Sequence, residues 1–449
     1  MFKKILIANR GEIACRIIRA CKELDIKTVA IYSEADKESM HVKLADESVC
    51  VGPASIAKSY LNIPNIIAAS EITNVDAIHP GYGFLSENVY FAEVCEACRL
   101  TLIGPSQTSI KQMGDKIAAI KLMKKSGIPV IPGYNEALNV NDSKIFSIAR
   151  NIGYPVIIKA SNGGGGRGMR IVISEESLKQ SIMTAQREAK IAFGNSEVYM
   201  EKFIEDPYHI EFQILGDKYG NIAYLPERDC SIQRKHQKLV EESPSFIIDN
   251  NFRKKIGKIA KKVASIVKYV TVGTVEFLVD KNENFYFMEM NTRIQVEHPV
   301  TEMITNVDLV KEQIRLAFGE KLTLDSDKIN ILGHAIECRI NAEDPDKNFI
   351  SSPGTVTELF LPGGPGIRID THIYSGYKIP YYYDSLLAKI IAFGANRDEA
   401  IIRMNRALQE LEIGDIKNTS SILKKIISNE TFKKGNVHTN FLTKHIFKK

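Results

Sequence analysis

The sequence predicts an α/β and α+β multidomain chain, and three stretches carry that prediction. Residues 1–113 alternate short apolar runs with helical patterns, the βαβ rhythm of a doubly wound, Rossmann-like parallel sheet. In residues 114–332 two strands flank a glycine-rich loop, and further on a polar tetrapeptide separates two β-rich runs that set carboxylates face to face. Residues 333–449 mix strands with one amphipathic helix, as a small closing α+β domain would. At 449 residues the chain is too long for one core.

In the N-terminal unit Ile5–Ala8, Thr28–Tyr32, Ser48–Gly52, Ala77–His79 and Thr101–Gly104 read as strands. Between the first two, Ile13, Ala14, Ile17, Ile18, Cys21 and Leu24 recur at helical spacing. The first turn, Asn9-Arg10-Gly11-Glu12, lacks GxGxxG, so a nicotinamide cofactor is not indicated. The apolar run after Met1-Phe2-Lys3-Lys4 stops at Asn9-Arg10, too early for a signal peptide, and no stretch is long enough to cross a bilayer. A net charge of +5 gives no reason to expect a nucleic-acid or membrane partner. Seven cysteines scattered from Cys15 to Cys338 read as reduced thiols of a cytoplasmic protein. Cys95 and Cys98, a lone CxxC, read as buried on a helix.

In the central unit, Tyr154–Ala160 is a strand containing Lys159, and Met169–Ile173 is a second. The glycines between them fit GxGxxG, but a strand follows where a Rossmann site needs a helix, and Met169 stands where a Walker A loop needs its lysine. A strand-loop-strand flap closing over a triphosphate remains, with a mobile linker as the bland alternative; Lys159 and Lys116 favour the phosphate. The run Glu227–Lys238 follows strands at His209–Gly216 and Ile222–Leu225 and is expected to cross the end of a sheet, where His209, Gln233, His236 and Lys238 offer polar contacts. Residues 274–280 and 285–291 form a hairpin around Lys281-Asn282-Glu283-Asn284, which sets Glu276 opposite Glu289 and puts Asn291 on the same face. Opposed carboxylates repel, so a cation belongs between them, and oxygen ligands suit Mg²⁺ or Mn²⁺ carrying nucleotide phosphates. Arg293, Gln295, Glu297 and His298 follow at once, which strengthens that reading over a plain solvated hairpin.

The C-terminal part has strands at 333–340, 355–361 and 387–393, then a helix Arg397–Leu411 with Ala400, Ile401, Met404, Leu408 and Leu411 on one stripe.

Together these stretches resemble biotin carboxylase, the ATP-grasp component of biotin-dependent carboxylases. The resemblance rests on ANRGEIACRIIRA, HPGYGFLSEN, KASNGGGGRGMR, ERDCSIQRKHQK, EMNTRIQVEHPVTE, AIECRINAEDP and YYYDSLLAKII, which span nearly the whole chain. It implies an ATP-grasp fold at 114–332, with a mobile lid at about 130–204, between the two other domains. Lys116, Lys159, Gly165 and Gly166 would hold ATP, the hinge strand Glu201-Lys202-Phe203-Ile204 would lie against adenine, and His209, Gln233 and His236 would lie near the nucleotide. Glu276, Glu289 and Asn291 would bind the metal, with two Mg²⁺ or Mn²⁺ ions expected. Bicarbonate would lie against Lys238, Arg293, Gln295, the backbone of Val296 and Arg339, with Glu297 as general base. Arg339 would also face the ureido ring of biotin, and Tyr82 would flank the biotin entrance.

The resemblance further implies a homodimer with Arg19, Glu23 and Arg368 at its interface, although Pro365 replaces an aromatic dimer residue, and the order around 414–419 is altered. The sequence has no Met-Lys-Met biotinylation motif and no second catalytic domain, so biotin is expected as a substrate on a separate carrier protein, with separate carboxyltransferase subunits. Acetyl-CoA, another acyl-CoA and pyruvate all remain open as final acceptor. Another ATP-grasp ligase would share Lys116, Lys159, Glu276 and Glu289 without needing Arg293–Glu297. A non-catalytic nucleotide-binding subunit would tolerate loss of Glu297 and Lys238, and both are present.

Overall fold

The computed structural model describes residues 1–161 and 168–447. Strands β1 (Lys4–Ile7), β2 (Lys27–Ser33), β3 (Glu47–Gly52), β4 (Ala77–His79) and β5 (Thr101–Leu102) form a parallel sheet in the order β3-β2-β1-β4-β5. The apolar runs are explained by burial on both faces. Ile5 and Ile7 pack with Ile13, Ile17 and Ile18 of the helix Gly11–Glu23, while Leu6 packs with Ile66 and Phe91 on the opposite side.

A second, antiparallel sheet, β6 (Gly133–Tyr134), β7 (Val156–Ala160), β8 (Arg170–Val172) and β9 (Val198–Lys202), has the order β6-β9-β7-β8 and its own core. Ile158, Val172 and Met200 pack on Leu178, Ile182 and Ala185 of the helix Leu178–Phe193. The glycine-rich segment with Gly165 and Gly166 lies outside the described residues; the strands it joins pair through Ile158 and Arg170.

The third sheet is built from β10 (Tyr208–Gly216), β11 (Ile222–Tyr224), β12 (Arg228–Arg234), β13 (Gln237–Ser243), β14 (Thr271–Val279), β15 (Phe285–Asn291) and β16 (His334–Asn341), with the strands Leu386–Gly394 and Ile367–Thr371. Its order is β15-β14-β10-β12-β13-β16, then Leu386–Gly394, then Ile367–Thr371, with β11 on β10. The long C-terminal strands thus extend the central sheet instead of forming a separate one. Phe212, Phe277 and Phe287 cover one side together with Ile256, Ala260 and Val263 of the helix Asn250–Ile266.

Four expectations need correction. The hairpin loop spans five residues, because Asp280 caps it by accepting from the N–H groups of Asn282 and Asn284, and Val279 pairs with Phe285. A bulge between Glu276 and Phe277 restores the register, so Glu276 still faces Glu289. The charge run at 227–238 does not cross the end of the sheet: β12 and β13 are interior strands, joined by a two-residue turn at Lys235 and His236 with φ of 47° and 67°. Of the CxxC pair only Cys95 is buried; Cys98 is exposed beyond the end of its helix, and all seven thiols are free. The 355–361 strand is two short pieces, Gly354–Thr355 and Leu359–Phe360, which pair with different partners. Among the described residues no helix is long and apolar enough to cross a membrane.

Candidate active site

Register places the charged residues in rows. Glu289, Glu276 and Glu211 lie side by side on β15, β14 and β10, and Arg228 of β12 stands next to Glu211. Three adjacent carboxylates repel one another, and the chain's own cations separate them. Lys116 Nζ lies 2.7 Å from Glu289 Oε2, while Lys238 Nζ donates to Glu211 at 2.6 Å and to Glu276 at 3.3 Å. Arg228 is fully buried, and each of its nitrogens finds an acceptor among Glu211, Gln213, Thr301, Thr274 and Gln295.

Glu276 Oε1 also accepts from Asn291 at 2.7 Å and Gln295 at 2.6 Å. Gln233 donates to His209 Nδ1, which leaves the His209 Nε2–H to donate to Glu276 Oε2 at 2.7 Å. Arg293 pairs with Glu87 at 2.8 Å and donates to the Asn291 Oδ1. Glu297 bridges two cations: Oε1 accepts from Lys238 at 2.5 Å and Oε2 from Arg339 at 2.8 Å. Behind it, Glu241 holds the Arg339 Nε–H at 2.6 Å.

Burial opposes ionisation throughout this cluster, yet the cations win at two carboxylates. Lys238 and His209 hold Glu276 well below the usual carboxylate range. Lys238, Arg339 and Arg228 do the same for Glu297. Glu337, opposite Glu241 in the β13–β16 ladder, goes the other way: burial pushes its carboxyl well above the usual carboxylate range, and neither of its oxygens has a hydrogen-bond partner among the described residues.

The structure therefore brings together His209, Gln233, Lys238, Glu276, Asn291, Gln295, Glu297 and Arg339 in one hydrogen-bonded cluster, with Lys116 and Glu289 at its edge and Arg293 joined through Asn291. Lys159 pairs instead with Glu201 at 2.6 Å within the small antiparallel sheet. Lys202 donates to the carbonyls of Gly153 and Tyr154, and Phe203 and Ile204 follow directly after β9. His236 stands exposed on its turn. Tyr82 donates to Glu12, and Gly81, at φ +62° against Asn9, shapes the turn before it. Arg368 pairs with Glu302 at 2.7 Å and Asp370 at 2.8 Å. The glutamate and asparagine oxygens are hard ligands that fit a divalent cation, and the cations already drawn to Glu276 and Glu289 show the pull this donor set exerts.

Sequence reasoning missed Glu12, Glu87, Glu211, Arg228, Glu241, Glu337 and Lys389. The signal was present as charge inside strands: Glu211 shares the face of His209 and Gln213 at period two, as Glu337 does with Arg339, and Lys389 interrupts the apolar run of its strand.

The biotin carboxylase N-terminal domain family matches residues 1–110, the carbamoyl-phosphate synthase L chain ATP-binding domain family 115–325, and the biotin carboxylase C-terminal domain family 337–444. A biotin carboxylase of Nostoc sp. is 56% identical over 441 residues, covering 98% of each chain. The crystal structure of a Campylobacter jejuni biotin carboxylase in complex with β-γ-ATP superposes with a TM-score of 0.96 at 47% identity, covering 99% of both chains. The biotin carboxylase domain dimer of Hydrogenobacter thermophilus 2-oxoglutarate carboxylase, with MgADP, ADP and bicarbonate, gives 0.95 at 50% identity over 99% of this chain and 98% of that one. With matches of this extent along its whole length, the chain belongs to the biotin carboxylase family.

Proposed function

We propose that this chain is the biotin carboxylase component of a biotin-dependent carboxylase, which uses ATP and bicarbonate to carboxylate biotin on a separate carrier protein by way of carboxyphosphate. One observation carries the reading: the Glu297 carboxylate sits between Lys238 and Arg339, so a base and two cations converge at one point. Bicarbonate is a poor electrophile and must first attack the γ-phosphorus of ATP, a step catalysed chiefly by positioning and charge neutralisation. Lys238, Arg293, Gln295 and the Val296 backbone are assigned to bicarbonate. Glu297, lying between Lys238 and Arg339, is assigned to take the proton that bicarbonate releases.

Lys116, Lys159, the glycine loop with Gly165 and Gly166, and the Glu201–Ile204 segment are assigned to ATP, with His209, Gln233 and His236 beside it. Glu276, Glu289 and Asn291 would hold Mg²⁺ or Mn²⁺, whose charge neutralises the nucleotide phosphates. Biotin must lose its ureido N–H proton to become a nucleophile, and Arg339 is assigned to the enolate-like oxygen that results, with Tyr82 at the entrance. The small antiparallel sheet with its own core suits a lid within about 130–204 that keeps water from the intermediate. Domain limits at 1–113, 114–332 and 333–449 go with this assignment.

A separate carrier and carboxyltransferase are proposed from membership of the biotin carboxylase family. The dimeric relative supports a homodimer, and seven free thiols support a cytoplasmic setting. Acetyl-CoA is the favoured acceptor, in fatty acid synthesis; similarity to a 2-oxoglutarate carboxylase domain keeps a keto-acid acceptor as a second reading.

Coupled ADP release and fixation of labelled bicarbonate test the reaction together. ADP release should require bicarbonate, and label should enter free biotin slowly and a biotinylated carrier faster, because specific docking of the carrier raises the local concentration of its biotin. ADP release that is indifferent to bicarbonate would overturn the reading. The carboxyltransferase that co-purifies identifies the acceptor.

A further inference from the structure

Lys389 lies in the middle of the strand Leu386–Gly394, in the same row as Arg339 on one neighbouring strand and Asp370 on the other. It is fully buried. Its ammonium donates to the Val296 carbonyl at 2.8 Å, lies 3.1 Å from Glu12 Oε1, and lies 3.8 Å from Asp370. Resting on the functional reading above, we propose that Lys389 is a positioning residue, which clamps the Val296 carbonyl and so fixes the Gln295–Glu297 turn that receives bicarbonate.

The irregular segment 292–297 joins β15 to the helix His298–Thr305 and carries Arg293, Gln295 and Glu297. The bond from a buried ammonium restrains rotation of the planar Val296–Glu297 peptide, and so restrains the direction in which the Glu297 side chain leaves the backbone. Simple neutralisation of Glu12 and Asp370 would not require this bond, yet it is the shortest contact the ammonium makes. The other contacts extend the clamp. Glu12 accepts from Tyr82, and Asp370 pairs with Arg368, so one lysine links the turn to the residues assigned to the biotin entrance and to the subunit face.

Lys389→Met removes the cation and keeps much of the volume. kcat/KM for bicarbonate should fall by about 10–100-fold, with KM for bicarbonate raised as well as kcat lowered, because a displaced turn misaligns both Gln295 and Glu297. KM for ATP should stay within about twofold, since no nucleotide contact is touched. Should that variant fail to fold, Lys389→Met combined with Glu12→Gln removes both buried charges together and gives the same readout. A folded variant with unaltered bicarbonate kinetics overturns the proposal, as does equal loss toward both substrates. Failure of both variants to fold assigns the lysine to stability alone and overturns it too. If the unaltered protein cleaves ATP without bicarbonate, the functional reading itself falls, a result distinct from any of these.

Discussion

In the parallel sheet the side chains buried from β1 are Ile5, Leu6 and Ile7; at comparable depth in the long antiparallel sheet stand Glu211, Arg228, Glu276 and Lys389. Apolar burial asks only for coverage, which helices on both faces supply. Buried charge asks for a partner at every donor and acceptor, and a well-packed apolar replacement is often no less stable. The five donors of Arg228 and the cations threaded between Glu289, Glu276 and Glu211 meet that demand. Glu276 and Lys238 in this sheet, and Glu297 beside it, neutralise one another and are also residues assigned to the metal and to bicarbonate.

The comparison is tested most severely at Glu297. Glu297→Gln should lower both biotin carboxylation and biotin-independent, bicarbonate-dependent ATP cleavage by about 10²–10⁴-fold, as loss of a general base does, with melting temperature measured alongside. Equal rates in variant and parent would remove Glu297 from the chemistry. Arg339→Ser should depress carboxylation more than ATP cleavage, so the ratio of ADP released to biotin carboxylated rises; equal losses would assign this arginine to bicarbonate activation instead.

On the apolar side, Leu6→Ala should cost about 2–5 kcal/mol in denaturant unfolding, with kcat per folded molecule unchanged. A drop in kcat would mean that the parallel sheet does more than support. The smallest effect concerns Glu242, which is away from the assigned ligands. Burial opposes its ionisation, but Arg397 and His334 bring its pKa down to about 2 from 4.5. A depressed folded value stabilises the protein fully above pH 4.5 and is lost as pH falls toward 2. Glu242→Gln should therefore remove up to about 3 kcal/mol at neutral pH and flatten the acid limb of the stability curve. An unchanged acid limb would assign the acid sensitivity to other carboxylates.

Sequence alone determined the parallel sheet, the hairpin that opposes Glu276 and Glu289, and the stripe of Ala400, Met404 and Leu408 on its helix, because apolar periodicity and local pairing are written within a few residues. It also carried the motifs on which the family assignment rests. Only the tertiary structure decided which charges neutralise which: Glu211 reaches Lys238 across 27 residues, Arg339 reaches Glu241 across 98, and Lys389 reaches Val296 across 93. Nor could the sequence reveal that the C-terminal strands continue the central sheet, since strand order depends on which edge is left open once the rest has folded. A charged residue inside a strand announces that it needs a partner, but the partner is chosen by register and sheet order, which distant segments set together.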